Sequence, residues 1–218
     1  MRSSRSIPLL LALAFVPAPA MANDDAVEFW FNPSASWSLD DNTGLELETG
    51  QRIRRDRDGR ADNYFARLWV HQDVSRTLAL SGAVERSIND GGADETRLMQ
   101  QFSTRHGILR TRVRFEQRFV DDADRMGLRL RTRLGLAMPL REDSPWSLEG
   151  DAELFTTLRS TRVGGATGAT RLRNFAGVGY EASDRVKLTF GYLREHNFQR
   201  NGVDQVGHAP FLGLDLSF

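Results

Sequence analysis

The chain has 218 residues, 29 of them basic and 29 acidic, and it contains no cysteine. That length suits a single domain, and the missing thiols exclude a disulfide framework, a thiolate metal site and a lipidated N-terminal cysteine. With charges in balance, no general basic surplus points to nucleic acid, so what matters is where the charges stand.

The first segment follows the pattern of a secretory signal. Arg2 and Arg5 give it a positive start, 7–16 is almost wholly apolar, and Ala20-Met21-Ala22 supplies small residues around a cleavage point. The expectation is a cleaved signal peptide over 1–22, export through the general secretory route, and a mature domain over 23–218. The apolar run is far shorter than the roughly 20 residues a spanning helix needs, and no later stretch is long and apolar enough either. If the mature chain sits in a membrane it does so as a closed barrel, the other architecture that satisfies every backbone polar group in lipid.

After the signal the pattern has a period of two, which is that of strands. A less regular segment at 27–39, interrupted by Pro33, precedes candidates at 45–53, 64–71, 78–88 and 95–103. The clearest run is 109–119, where Leu109, Thr111, Val113, Phe115, Gln117 and Phe119 alternate with Arg110, Arg112, Arg114, Glu116 and Arg118. The run at 128–138 repeats it, Leu128 to Met138 against Arg129, Arg131 and Arg133. Further segments cover 146–156, 170–180, 186–195 and 208–218.

Stripes such as Tyr64/Ala66/Leu68/Val70 and Val186/Leu188/Phe190/Tyr192 carry no charge, and Arg86, near a strand end, is the charged exception. A soluble sandwich also alternates, but it needs no uncharged stripe of bilayer-crossing length on nearly every strand. Connections alternate too. Those near 40–43, 73–76, 105–107 and 181–184 are short, and those at 54–62, 89–93, 121–125, 160–168 and 197–207 are longer and polar. The pattern predicts an all-β antiparallel transmembrane barrel in a Gram-negative outer membrane, with short periplasmic turns and longer outer loops.

Eleven candidates can be counted, yet a bacterial barrel closes with an even number, so the expectation is twelve strands, with ten as the alternative. The final Leu212-Gly213-Leu214-Asp215-Leu216-Ser217-Phe218 ends on an aromatic residue, as do strands presented to the barrel-assembly machinery. Phe218 is therefore the candidate assembly signal. Periplasmic chaperones and that machinery are the expected biogenesis partners, and the lipid bilayer with lipopolysaccharide the resident ones.

Glu95-Thr96-Arg97-Leu98 with Gln100-Gln101-Phe102, then Arg112-x-Arg114-x-Glu116-x-Arg118, then Arg129-x-Arg131-x-Arg133, resembles the proteobacterial family catalogued as domain of unknown function 2490. Arg171-x-Arg173, Gly191-Tyr192-Leu193 and the early Trp30 extend the resemblance over most of the mature chain. The resemblance implies an outer-membrane-like barrel. It brings no accepted activity, so no catalytic residue is carried over.

The candidate site is the lumen, where Arg97, Arg112, Arg114, Glu116, Arg118, Arg129, Arg131, Arg133, Glu149, Asp151, Glu153, Arg171 and Arg173 face inward. Folding the hairpin after Met138 sets Arg133 opposite Asp151 and Arg131 opposite Glu153, and the preceding hairpin sets Glu116 opposite Arg129. The leading reading is a structural network in a filled, porin-like barrel, because charges at membrane depth persist only when paired or wet. The rival is a small pore whose arginine surplus favours anions.

A third class is an outer-membrane hydrolase acting on lipid or peptide. His71, His106, His196 and His208 are scattered, and His196-Asn197 is the candidate whose replacement by Ala a hydrolysis assay would test. Asp121, Asp122 and Asp124 form an acidic loop of the kind that can hold divalent cations, although solvated loop charge is its commoner meaning. Gly164-Gly165-Ala166-Thr167-Gly168 follows no strand-to-helix pattern and reads as an outer loop. No cofactor or resident metal is expected.

Overall fold

The structure is a computed structural model and describes residues 26–54, 62–200 and 202–218. The proposed signal segment 1–22 lies outside the described residues. Among the described residues no helix is long and apolar enough to cross a membrane, which says nothing of a β-barrel.

Eleven strands form one closed barrel: β1 (Ala26–Ser38), β2 (Thr43–Arg54), β3 (Asn63–Ser75), β4 (Leu78–Asn89), β5 (Glu95–His106), β6 (Leu109–Val120), β7 (Gly127–Pro139), β8 (Trp146–Arg159), β9 (Gly168–Ser183), β10 (Val186–Asn197) and β11 (Gln205–Ser217). Each expected strand is present and most run further than alternation alone marked, because ladder hydrogen bonds continue past the last apolar residue into the turns. Short turns at 39–42, 76–77, 107–108, 140–145 and 184–185 gather at one end of the barrel. The strand ends flanking 90–94, 121–126, 160–167 and 198–204 gather at the other, together with the end of β2 and the start of β3.

The count corrects the expectation of twelve or ten. Residues 26–38 form one strand, and β1 pairs parallel with β11 while every other neighbouring pair is antiparallel. An even number is required only where the closing pair is also antiparallel. Pro33 is accommodated inside β1, because the β1–β2 ladder skips Asn32 and Pro33 between Phe31↔Gln51 and Ser34↔Glu48 without changing register, and so asks no ladder bond of it there.

Alternation then sorts every strand into an outer and an inner face. The outer face exposes apolar side chains, Leu68 and Val84 at 53% and Leu134 at 57% among them. Arg86 is outward near the long-loop end and reaches Asp94 at 3.0 Å and Asp121 at 2.9 Å. Aromatic pairs mark the short-turn end, where Trp146 meets Tyr180 and Trp37 stacks on Phe218; Tyr192 meets His208 toward the other end.

The core is the lumen itself, and it is not filled evenly. Nearly all the buried inward side chains stand at mid-height or toward the long loops, with Thr189 the exception, whereas inward residues near the short turns remain partly exposed. Trp30, Leu193 and Ala209 form an apolar cluster flanked by Phe175 and Phe211, and Phe155 and Met99 are fully buried.

Candidate functional site in the charged lumen

Three glutamates carry the middle of the barrel. Glu85 and Glu116 are 0% exposed and Glu153 is 2% exposed, so each must be met by cations or protonated. Arg67 donates to Glu85 from Nε at 2.7 Å and to Glu48 from Nη1 at 2.6 Å, and Arg97 joins Glu85 to Glu95. Arg118 also binds Glu95. Arg129 donates from Nε to Glu116 at 2.6 Å.

Arg131 links the acids to one another. Its Nη1 reaches Glu116 at 2.9 Å, while its Nη2 and Nε reach Glu153 at 2.6 and 3.1 Å. Glu153 is also bound by Arg112 and stands 3.9 Å from Arg173. Arg173 and Arg171 turn to Glu195 at 2.7 and 3.0 Å. Four guanidiniums, those of Arg129, Arg131, Arg171 and Arg173, surround the Phe155 ring at 4.4–5.4 Å, so apolar volume and charge fill the same layer.

Toward the short turns the pairs thin out. Arg133 binds Asp151 and Lys187 binds Glu149, yet Arg133 is 39% exposed where Arg131 is 7% exposed. His71 sits between Ser81 at 2.8 Å and Glu46 at 3.0 Å. Two adjoining cavities of about 350 and 470 Å³ share Arg112, Arg133, Glu149, Asp151 and Phe175 in their walls; the larger lies toward the short turns, and the smaller extends from there past Arg131 to Arg129, Arg171 and Trp30.

All the lumen residues singled out from sequence face inward, and the structure joins most of them in this network. Arg131–Glu153, Arg133–Asp151 and Arg129–Glu116 are all ion pairs, but the expected register of one hairpin is corrected. Arg133 stands opposite Glu153, Arg131 opposite Phe155 and Gly135 opposite Asp151, because β7 runs on to Pro139 and pairs it with Ser147. The long guanidinium arms cross the diagonal to reach the acids. Glu116 does stand opposite Arg129.

Sequence reasoning left out Glu48, Arg67, Glu85 and Glu195, and the inward aromatics Phe65, Trp69 and Phe155. The signal for the first group was available: each occupies the face opposite a largely apolar stripe. The aromatics gave none, since an apolar residue on the wet face breaks the rule by which the faces were told apart.

The remaining candidates do not converge. His196 Nε2 meets Asp204 at 2.8 Å and its ring packs on Phe198, clasping the last long loop. His208 lies outward against Tyr192, and His106 ends β5 beside the turn at Gly107. Asp121 takes Arg86, Asp124 accepts the amide of Val163 at 2.7 Å, and Asp122 adopts a left-handed backbone with φ 59°. Among the described residues no three His, Asp or Glu side chains gather as a metal site would require.

Residues 27–206 match a family described as a protein of unknown function, DUF2490. An uncharacterized protein of Methylorubrum extorquens is 28% identical over 226 residues, covering 96% of this chain and 97% of the relative. Among solved structures, the NanC porin superposes with a TM-score of 0.56 at 8% identity, covering 88% of this chain and 99% of the porin. At that identity the likeness is one of fold, a porin-like β-barrel.

Proposed function

The chain belongs to the DUF2490 family, and from that premise we propose that it is an outer-membrane barrel whose lumen network is a structural plug. The plug occupies the half nearer the long loops, which face outward from the cell, and leaves a vestibule open to the periplasm. The exposed apolar stripes and the aromatic pairs near both ends suit a bilayer flanked by lipopolysaccharide on one side. Secretory export and the barrel-assembly machinery are the corresponding route and partner.

The observation that carries the plug is the buried chain Arg129–Glu116–Arg131–Glu153–Arg112 along the wall of β6, β7 and β8, from whose flanks Arg114 reaches across to Trp69 on β3 and Arg173 to Trp30 on β1. A water-filled channel at that level would hydrate those carboxylates. Instead, guanidiniums replace their water. Planar-bilayer recording on refolded protein tests this, with the expectation of no stepwise current.

A second reading, a narrow anion-preferring pore, is favoured by one observation: Arg52 and Arg114 face the lumen without a carboxylate partner among the described residues. Stepwise currents with a reversal potential on the anion side would establish it in place of the plug.

A further inference from the structure

Arg114 is 3% exposed, and its Nε and Nη2 both donate to one neutral oxygen, Gln101 Oε1, at 2.9 and 2.7 Å. Its guanidinium lies 4.6 Å over the Trp69 ring. The acid across from it, Glu48, is already engaged by Arg67 Nη1 at 2.6 Å and Trp69 Nε1 at 3.2 Å. Arg131 stands directly opposite Arg114 in the β6–β7 register, and Arg112 stands two residues away on the same face of β6. Like charges directly opposed destabilise a sheet pair.

Arg52 repeats the situation on β2. Among the described residues its buried Nε has no hydrogen-bond partner and it forms no ion pair, and its guanidinium lies 4.1 Å over the ring of Trp30, which also lies 4.6 Å from Arg173. Nε of Arg97 and Nε of Arg112 are orphaned in the same way, as is the acceptor Asn32 Oδ1. Arg52, Arg112 and Arg114 all line the cavity of about 350 Å³.

A guanidinium does not shed its proton in a protein, so a buried one without a counter-charge is costly unless an anion reaches it. We propose that this cavity is an oxyanion site, in which Arg114 and Arg52 supply the charge for a small carboxylate- or phosphate-bearing solute entering from the short-turn end. Planar oxyanions match the paired N–H groups of the guanidinium fork, and the volume admits a small organic acid or a phosphate. The aromatic rings beneath the two arginines hold them in place without consuming their donors. The site rests on the geometry of the lumen and stands whether or not the constricted half conducts.

Calorimetric titration of the refolded full chain tests it, with inorganic phosphate and with citrate, each against chloride at matched ionic strength. Saturable heat is expected with phosphate or citrate and absent with chloride, and the oxyanion that gives it identifies the ligand chemistry. Arg114→Gln and Arg52→Gln should each weaken binding at least tenfold, Arg114→Lys should weaken it less than Arg114→Gln, and Arg86→Gln on the outer face should leave it unchanged. Because no acid loses its partner, Arg114→Gln should unfold in urea no earlier than the parent chain. No saturable heat with either oxyanion, undiminished binding by Arg114→Gln, or an early urea midpoint for that variant overturns the site. Stepwise current with binding intact would instead overturn the plug and leave the site standing.

Discussion

Arg131 and Arg133 stand two residues apart on the same face of β7, each against a carboxylate, and they are 7% and 39% exposed. Arg131 lies in the packed half of the lumen, between two buried glutamates and against the Phe155 ring. Arg133 lies in the open half and shares its wall with two cavities. The same chemistry therefore has two meanings. In the packed half each charge depends on its partners because water has been displaced; in the open half water stands in for whatever a partner fails to supply.

The sharpest way to break that comparison is to remove one acid from each half. Glu153→Gln leaves Arg131 and Arg112 short of a counter-charge in the packed half. It should lower stability by about 3–5 kcal/mol, the usual scale for breaking a buried pair. The urea-unfolding midpoint measures it, and Glu116→Gln should fall in the same range.

At the short-turn end the β1–β11 seam closes on the last residue. Phe218 stacks on Trp37 at a centroid distance of 5.8 Å, and its amide donates to Ser36 O at 2.9 Å. Deleting Phe218 should cost about 2 kcal/mol, an aromatic pair plus one backbone hydrogen bond. It should also lower the yield of heat-modifiable folded barrel in the outer membrane, which gel mobility with and without boiling would show.

Asp151→Asn is the counterpart of Glu153→Gln in the wet half. Hydration of Arg133 should hold its cost to about 1 kcal/mol or less on the same urea axis. A loss equal to that of Glu153→Gln would erase the distinction between the halves.

The smallest effect belongs to the loops. Asp204 has its pKa held below the ordinary carboxylate value by the Gln199 amide and then by His196. A folded-state pKa lowered in this way contributes stability above the unfolded value and loses it as pH falls through the folded one. The Gln199 amide should therefore keep its exchange protection at neutral pH and lose it only below the usual carboxylate range, whereas Asp204→Ala should lose it at every pH.

The strands and faces were legible because alternation is a local signal that repeats on every strand, as in 109–119 and 128–138. Parity was not. Whether β1 meets β11 parallel or antiparallel depends on the whole ring, and Pro33 in the first strand suggested a break where the structure has only a skipped ladder bond. Ion pairing was legible through the reach of arginine, which tolerated a register error of one pair in the β7–β8 hairpin. The filling of one half and not the other could not be read. It follows from where Phe155, Trp69 and Met99 turn inward, and an apolar residue on the lumen face looks in sequence like an error of phase.

The parallel closure also bears on how such a ring can be rewired. In an all-antiparallel ring the first and last strands form a potential hairpin, and a few added residues would join them. Here the start of β1 and the end of β11 lie at opposite rims, separated by roughly 35–40 Å of strand at about 3.3 Å per residue. A circular permutant would need a linker that traverses the whole wall, and none of the short turns would serve as a template for it. Growth by hairpin duplication adds strands in twos and preserves parity. A ring of eleven therefore differs in parity from rings grown that way, and the parallel β1–β11 seam is where the odd strand is accommodated.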